Sequence, residues 1–420
     1  MERSKPGLLL AKIEGTYGTD PVPTAGSNVI GAWRGTVSFD ISGESIQRAI
    51  LDPAYNRVIG YQSMKQCAIS FRTELRGNRV SAASNDIAKG SSSFAVEIDP
   101  LLRSCDLTAT YVAESGSGTR DGYVYYRPVL PTTEFGSSVT FYLYSEGKLY
   151  KATGCKGDVS AVLEAGKLCF LDWKFSGFYN VPTDNTPIPT GTFLATAPPL
   201  LERPATVLSA VTVVATSSSG LLFTYTAHGL FNGDRVKFDG TTRPTGIASG
   251  TYYYVVNVTA NTFKVAATLG GSAIAYTDAG VAVTMTTLRS LLAGTMIAPV
   301  FQTLNFKLGN VVSMRADGNS SNGIKGWCIT DRVSSADVDT ESELEATDPR
   351  WTDWATPTLR NLRLNLGTAT GNRFALDCTT QLTKVTYGER NGIRTQSQQL
   401  DIVNANVGDT PGAALALIFQ

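Results

Sequence analysis

Two well-separated stretches of this chain read alike, and no other feature constrains its fold as strongly. "FDISGESIQRA" (Phe39 to Ala49) matches "FKLGNVVSMRA" (Phe306 to Ala316), and in both the Phe is followed nine residues later by Arg-Ala. Two further echoes keep the same order. "DPLLRSCDLTA" from Asp99 is echoed by "DPRWTDWATPT" from Asp348, and "GKLYKATGC" from Gly147 by "GNRFALDC" from Gly371, with one gap. Ordered matches separated by insertions predict one folding unit present twice.

The text around the echoes is strand text. Charged residues make up only 17 % of the chain while Gly, Ser, Thr and β-branched residues abound, a balance that favours strands joined by turns. "TVSFDIS" from Thr36 and "KQCAISFRTEL" from Lys65 read as strands. "SVTFYLY", "KLYKATG", "DVSAVLE" and "KLCFLDWKFSGFY", between Ser138 and Tyr179, read as a meander with Gly-containing turns. "DPLLRSCDL" reads as a short helix, with Asp99 as its cap and Pro100 at its first position.

Residues 181–205 are a Pro-rich linker, after which charge falls and Thr, Ala, Gly and Val dominate. "LFTYTAHGLFNGDRVKF", "GTYYYVVNVTANTFKV" and "GGSAIAYTDAG" read as the short strands of a separate module spliced into the larger unit. The expectation is a mainly β chain in four parts. An extended N-terminal arm covers 1–35 and a first β-domain 36–200. An inserted small all-β domain covers 206–286, and a second β-domain covers 297–420.

"YGTDPVPTAGSN" (Tyr17 to Asn28) cannot be a helix or a central strand, because Pro21 and Pro23 have no backbone N–H. Asp20 and Val22, each before a proline, are pushed toward extended backbone. Such an arm makes few bonds of its own. Contact with a neighbouring subunit through Tyr17, Asp20, Pro21 and Pro23 explains it, and folding back on its own domain is the plainer alternative.

Chemistry is hard to find. The 36 basic and 36 acidic residues cancel, which argues against a general nucleic-acid or membrane-surface binder. No apolar run approaches 18 residues, so no transmembrane helix and no membrane insertion are expected. "MERSKPGLLLAKIEG" has too short an apolar core for a secretory signal, and a cytoplasmic site of synthesis is expected. The six cysteines form no CxxC pair and read as small buried thiols, not as zinc ligands. The single histidine, His228, has no nucleophile motif beside it and reads as a turn residue. "DGNSSNG" at Asp317 lacks the spacing and the closing Glu of a calcium loop. The expectation is a protein without catalytic residues, metal or cofactor.

One stretch carries a physical message. In "DVDTESELE" a strand would place Asp337, Asp339, Glu341, Glu343 and Glu345 on one face, with Val338, Thr340, Ser342 and Leu344 on the other. Five carboxylates in a row repel one another, so that face must be wet. It is either an ordinary solvated face or the wall of a channel that lets a polyanion slide without gripping it. The repeat counterpart places Gln66, Ala68, Ser70, Arg72, Glu74 and Arg76 together, polar but mixed in charge.

"AKIEGTYGTDPVPTAGSNVIGAW", "ISFRTEL", "DPLLRSCDL" and "GKLYKATGCKGDVSAVLEAGKLCFLDWKFSGFYNVPTD" resemble the major tail tube proteins of long-tailed bacteriophages. "TKVTYGERNGIRTQSQQLDIV" resembles the closing strands of that family. The resemblance spans about residues 8–200 and 297–420, and the insert resembles small decorative β-modules of phage structural proteins. It implies a tail-tube-type β-sandwich unit with a short helix, joined edge to edge into rings whose inner strands form one barrel. The rings stack into a virion tail tube assembled in the host cytoplasm. The implied partners are the tape measure protein, tail terminator and tail-tip proteins, and phage DNA in transit without sequence-specific binding. With two units per chain, a ring takes three chains, or six if each acts singly. The resemblance also assigns the loop from Leu51 to Met64, with Asp52, Pro53, Tyr55 and Tyr61, to contact between subunits. The alternative is a tail-tip or receptor-binding component built of β-domains that binds the host surface.

Overall fold

The computed structural model describes residues 7–51, 58–77, 96–112, 122–145, 147–185, 187–194, 197–201, 211–212, 214–216, 222–226, 228–249, 251–288, 300–320, 322–367, 371–404 and 414–420. Among them the chain forms twenty-five strands and two six-residue helices, so the mainly β expectation holds.

The front of the chain supplies β1 (Gly7–Ile13), β2 (Val29–Ile30), β3 (Ser38–Arg48), β4 (Val58–Glu74), α1 (Asp99–Ser104) and β5 (Leu107–Val112). There follow β6 (Tyr123–Pro128), β7 (Val139–Ser145), β8 (Gly147–Glu164), β9 (Phe170–Tyr179) and β10 (Thr183–Asn185). The middle supplies β11 (Val211–Thr212), β12 (Val214–Thr216), β13 (Leu222–Thr224), β14 (Arg235–Asp239), β15 (Tyr252–Val256), β16 (Thr262–Ala266) and β17 (Thr284–Leu288). The rest supplies β18 (Phe301–Lys307), β19 (Asn310–Ala316), β20 (Ile324–Arg332), β21 (Ser335–Glu341) and α2 (Arg350–Ala355). It ends with β22 (Leu359–Leu366), β23 (Phe374–Arg390), β24 (Ile393–Ile402) and β25 (Leu415–Phe419).

The middle strands β11 to β17 close into their own seven-stranded sheet around Phe223, Phe238, Phe263 and Met285. "GGSAIAYTDAG" contributes only an isolated bridge, Ala266 to Ala273, and no strand. The front and rear stretches do not form two separate bodies. They share one sixteen-stranded sheet and one hydrophobic core, in which Phe71, Trp173 and Phe175 lie with Leu304, Leu376 and Phe419. β6 pairs with β25, so the front strands are tied to the last strand of the chain.

The arm expected over 1–35 is not an arm. Leu8, Leu9 and Leu10 are buried, and β1 runs antiparallel to β7 from Gly7 to Ile13. The apolar run that is too short for a signal is a central strand. "KLYKATG" and "DVSAVLE" are one eighteen-residue strand, β8, with an irregularity between Thr153 and Lys156 in place of a turn. Asp99 does not cap α1. Its carboxylate accepts from Arg103 Nε at 3.0 Å and from the Tyr126 hydroxyl at 2.7 Å instead.

Eight strands lie side by side in the order β3-β4-β9-β8-β18-β21-β24-β23, all antiparallel. They divide into two blocks of four. The repeat Phe39 and Phe306 sets the correspondence: Phe39 faces Ile69 on β4, and Phe306 faces Ala336 on β21. Counting along, Thr73 corresponds to Thr340. Trp173 on β9 donates its ring N–H to the Thr73 hydroxyl at 2.9 Å. Gln398 on β24 donates its amide to the Thr340 hydroxyl at the same distance. The two blocks thus share strand order, register and one buried side-chain bond.

Candidate functional site: a polar sheet face between two open edges

One side of the eight strands covers the core and the other is wet. The alternation in "DVDTESELE" is followed through Glu341: Val338 and Thr340 are buried, while Asp337, Asp339 and Glu341 are half-buried on the wet side. Ser70, Arg72 and Glu74 occupy the matching positions of β4, with Ile69, Phe71 and Thr73 buried behind them. This is the strand period of two acting on a sheet with one dry face.

The row is not bare acid. Lys307 Nζ lies 3.7 Å from Asp337, and Arg390 reaches Asp339 at 2.8 Å and Glu341 at 3.4 Å. Arg72 forms a two-pronged pair with Asp172 at 2.6 and 2.9 Å. The wet face is therefore charged but internally paired.

Glu343 and Glu345 are not part of it, because β21 ends at Glu341. The Glu345 carboxylate turns back to accept the Thr352 N–H at 2.7 Å and the Trp351 N–H at 3.3 Å, which caps α2. Slight desolvation pushes its carboxyl up, but these amides outweigh it and hold it below the ordinary value. Leu344, expected on the dry face, is exposed. Free N–H groups at a helix start compete for a nearby carboxylate more strongly than a strand end does.

The segment Tyr17 to Asn28 packs on its own chain, as in the plainer alternative. The Tyr17 ring stacks on Phe135 with centroids 4.1 Å apart and meets Phe178 edge-on. Its hydroxyl donates to Gly154 O at 3.1 Å and accepts the Trp327 N–H at 2.7 Å. Burial pushes its phenol far above the ordinary value. Gly326 is required here, since a Cβ at that residue would lie 2.5 Å from the Tyr17 hydroxyl. Asp20 accepts from the Tyr142 hydroxyl and from Lys151 Nζ, Pro21 O accepts from Lys12 Nζ at 2.9 Å, and Pro23 is buried. Through Tyr17 the segment clamps β8 and β9 to β20.

Asp52, Pro53 and Tyr55 lie outside the described residues. Tyr61 is part of β4, because β3 and β4 pair as far as Arg48 and Val58. Residues 58–64 of the expected loop thus belong to the second strand of a long hairpin. Its outer half carries Ile46, Ile59 and Tyr61 on exposed positions, Ile59 at 80 % and Tyr61 at 61 %. Covering these three side chains together with Ile50 and Leu51 would contribute on the order of 10 kcal/mol to an assembly.

Both ends of the eight-strand run are open. Among the described residues β3 pairs only with β4, and beyond Gln381 the side of β23 opposite β24 has no partner strand. Beside that second edge Trp351, Trp354 and Tyr387 form an aromatic patch, with Trp354 51 % exposed and Tyr387 50 % exposed. An open edge next to uncovered aromatic rings invites pairing with another chain.

The other candidates are structural. His228 is 2 % exposed, accepts the Leu230 N–H through Nδ1 at 3.0 Å and sits edge-on to Phe263, so it is a core residue of the small sheet. Asp317 accepts the Asn319 N–H at 2.9 Å and closes a surface turn. All six cysteines are free thiols and all but Cys328 are buried. Burial pushes the Cys67 thiol up to about 12.

The seat of the small sheet is invisible in the sequence. Arg235 and Arg363 bracket Asp377 at 3.0 and 3.3 Å, and Arg363 also reaches Asp234 at 3.4 Å; Arg363, Asp234 and Asp377 are buried and Arg235 is largely so. Desolvation pushes the Asp377 carboxyl up, but Arg235 and Arg363 overcome it and hold it below the ordinary value. Leu269 packs with Tyr123, Tyr125 and Ile418 beside this network. The module docks where β23 begins, ten residues and about 30 Å along the strand from the edge at Tyr387.

No helix among the described residues is long and apolar enough to cross a membrane. No family model matches the chain, and no curated protein matches it significantly.

Proposed function

We propose that this chain is a tail tube protein of a long-tailed bacteriophage, whose copies join edge to edge into rings that stack around a conduit for the genome. One observation carries the reading: an eight-stranded run made of two matching blocks, wet on one side and open at both ends. Such a run removes its edges only by pairing with another strand, and closing a ring does so for every copy. The paired-charge face becomes the lining, and the inserted module, docked far from the open edge of β23, stays on the outside.

Strand count favours three chains. Two would give 16 strands, the size of a porin wall, whereas three give 24 and a backbone diameter of about 45–50 Å at ~4.8 Å spacing and ~40° tilt. The exposed apolar hairpin of β3 and β4 reaches the next ring in the stack. In this reading the tape measure protein fills the tube during assembly, terminator and tip proteins cap its ends, and DNA passes without sequence-specific contacts.

Electron microscopy of the purified protein over a range of concentrations tests it, with particles from native virions as the reference. Stacked rings with an open centre are expected. A small closed oligomer at every concentration, absent from the tube of virions, would instead favour a tail-tip or receptor-binding component.

A further inference from the structure

The chain contains one finished junction between its two blocks, and it is a template for the junction left open at its ends. Inside the chain, β8 of the first block pairs with β18 of the second, with Ala161 opposite Phe306 and Ser160 opposite Lys307. The Leu308 N–H donates to Val159 O at 3.0 Å. Ala161 is 3 % exposed there, in the same core as Phe306 opposite it and Leu102 of α1.

The block correspondence carries this junction across. Trp173 faces Val159 on β8, and Gln398 faces Val385 on β23. Val159 therefore corresponds to Val385, and Ala161 to Tyr387. On the other side Phe306 corresponds to Phe39. Tyr387 is the counterpart of a residue sealed inside the chain, yet it is half exposed beside Trp351 of α2. Ile41, which follows Phe39 on the same side of β3, is also exposed.

We propose that β3 of one chain pairs antiparallel with the unpaired side of β23 in a second copy. Phe39 sits opposite Tyr387 and Asp40 opposite Thr386, in the register of the internal junction. Phe39 and Ile41 cover the patch of Trp351, Trp354 and Tyr387, as Phe306 lies opposite Ala161. The inference rests on the ring reading above and assigns its contact residue by residue.

Asp40 and Thr386 are both exposed, and by the template they form a non-hydrogen-bonded pair, the closer kind of cross-strand pair. The test is a chain carrying Asp40→Cys and Thr386→Cys, assembled, mildly oxidised and run on a denaturing gel without reductant. Covalently closed trimers are expected, lost on reduction. A mixture of the two single variants should stop at dimers. The control, Asp40→Cys with Gly388→Cys, is two residues out of register and should link at least tenfold less. Rings that form normally but link better through the shifted pair, or through neither, overturn the register and leave the tube reading standing. A chain that never forms rings contradicts the tube reading, and this contact with it. Tyr387→Asp gives a second readout: it should abolish ring formation while the unassembled chain still unfolds in one cooperative transition, with a modestly lower midpoint from the lost Trp351 and Arg394 contacts. Normal rings from that variant would also overturn the contact.

Discussion

Replacing Tyr17 with Phe tests whether the segment from Tyr17 to Asn28 is a clamp within the chain or a contact between chains. The ring would keep its stack on Phe135 and its edge contact with Phe178. Only the hydroxyl is lost, and with it a bond donated to Gly154 O and one accepted from the Trp327 N–H. The Trp327 N–H is then left without its partner in a part-buried place. Two bonds and one stranded donor together should cost about 1–3 kcal/mol. Tyr17→Ala also removes the ring and its two aromatic contacts, which raises the cost to about 4–6 kcal/mol. The assay is urea unfolding of the unassembled chain, with hydrogen exchange at the Trp327 amide as a local probe. That amide should lose protection in both variants. A Tyr17→Phe chain with unchanged stability and an unchanged Trp327 amide, but with failed ring formation, would refute the clamp and return the segment to a role between subunits.

Other perturbations follow from the same contacts. Thr73→Val and Thr340→Val should each cost about 1–2 kcal/mol, because each strands a buried N–H donor, and urea midpoints should show similar losses for the two. Asp377→Ala leaves Arg235 without its counter-charge and Arg363 with only Asp234 and should cost about 3 kcal/mol, read as faster hydrogen exchange in β14 and β15. Because the folded Asp377 pKa is depressed, its contribution is present above the ordinary value of 3.8 and is lost as pH falls through and below it. On the alkaline side, burial raises the Cys67 thiol and the Tyr123 and Tyr126 phenols. Their contribution is intact below the ordinary thiol value of 9.0 and should fall as pH rises past it and past the phenol value of 10.0. Melting midpoints across that range check the sign.

What could be read from the sequence was local. The alternation in "KQCAISFRTEL" and "DVDTESELE" reports directly which side of a strand is dry, and it placed Ile69, Phe71, Val338 and Thr340 correctly. The Asp-Pro pairs marked where both helices begin. The Phe39 and Phe306 match marked two strands that occupy the same place in their blocks. What could not be read depended on partners distant in the chain. Leu8 to Leu10 form a central strand only because β7, more than a hundred residues later, lies beside them. Tyr17 meets Trp327 across 310 residues of chain. Glu345 left the acidic row because α2 offered it free N–H groups. The outer half of the β3–β4 hairpin hid because its exposed isoleucines break the pattern of one dry and one wet side, and this same break marks a surface that needs a partner. The network around Asp377 joins residues of the small sheet to β22 and β23, and no spacing in the sequence announces it.

The most direct test of the ring account is the rotational symmetry of end-on averages of the assembled protein. The account predicts threefold rings with a near-sixfold inner wall, since each chain carries two matching blocks, and three outer lobes from the inserted module. A sixfold ring with six lobes, or an assembly with no continuous inner wall, would contradict it.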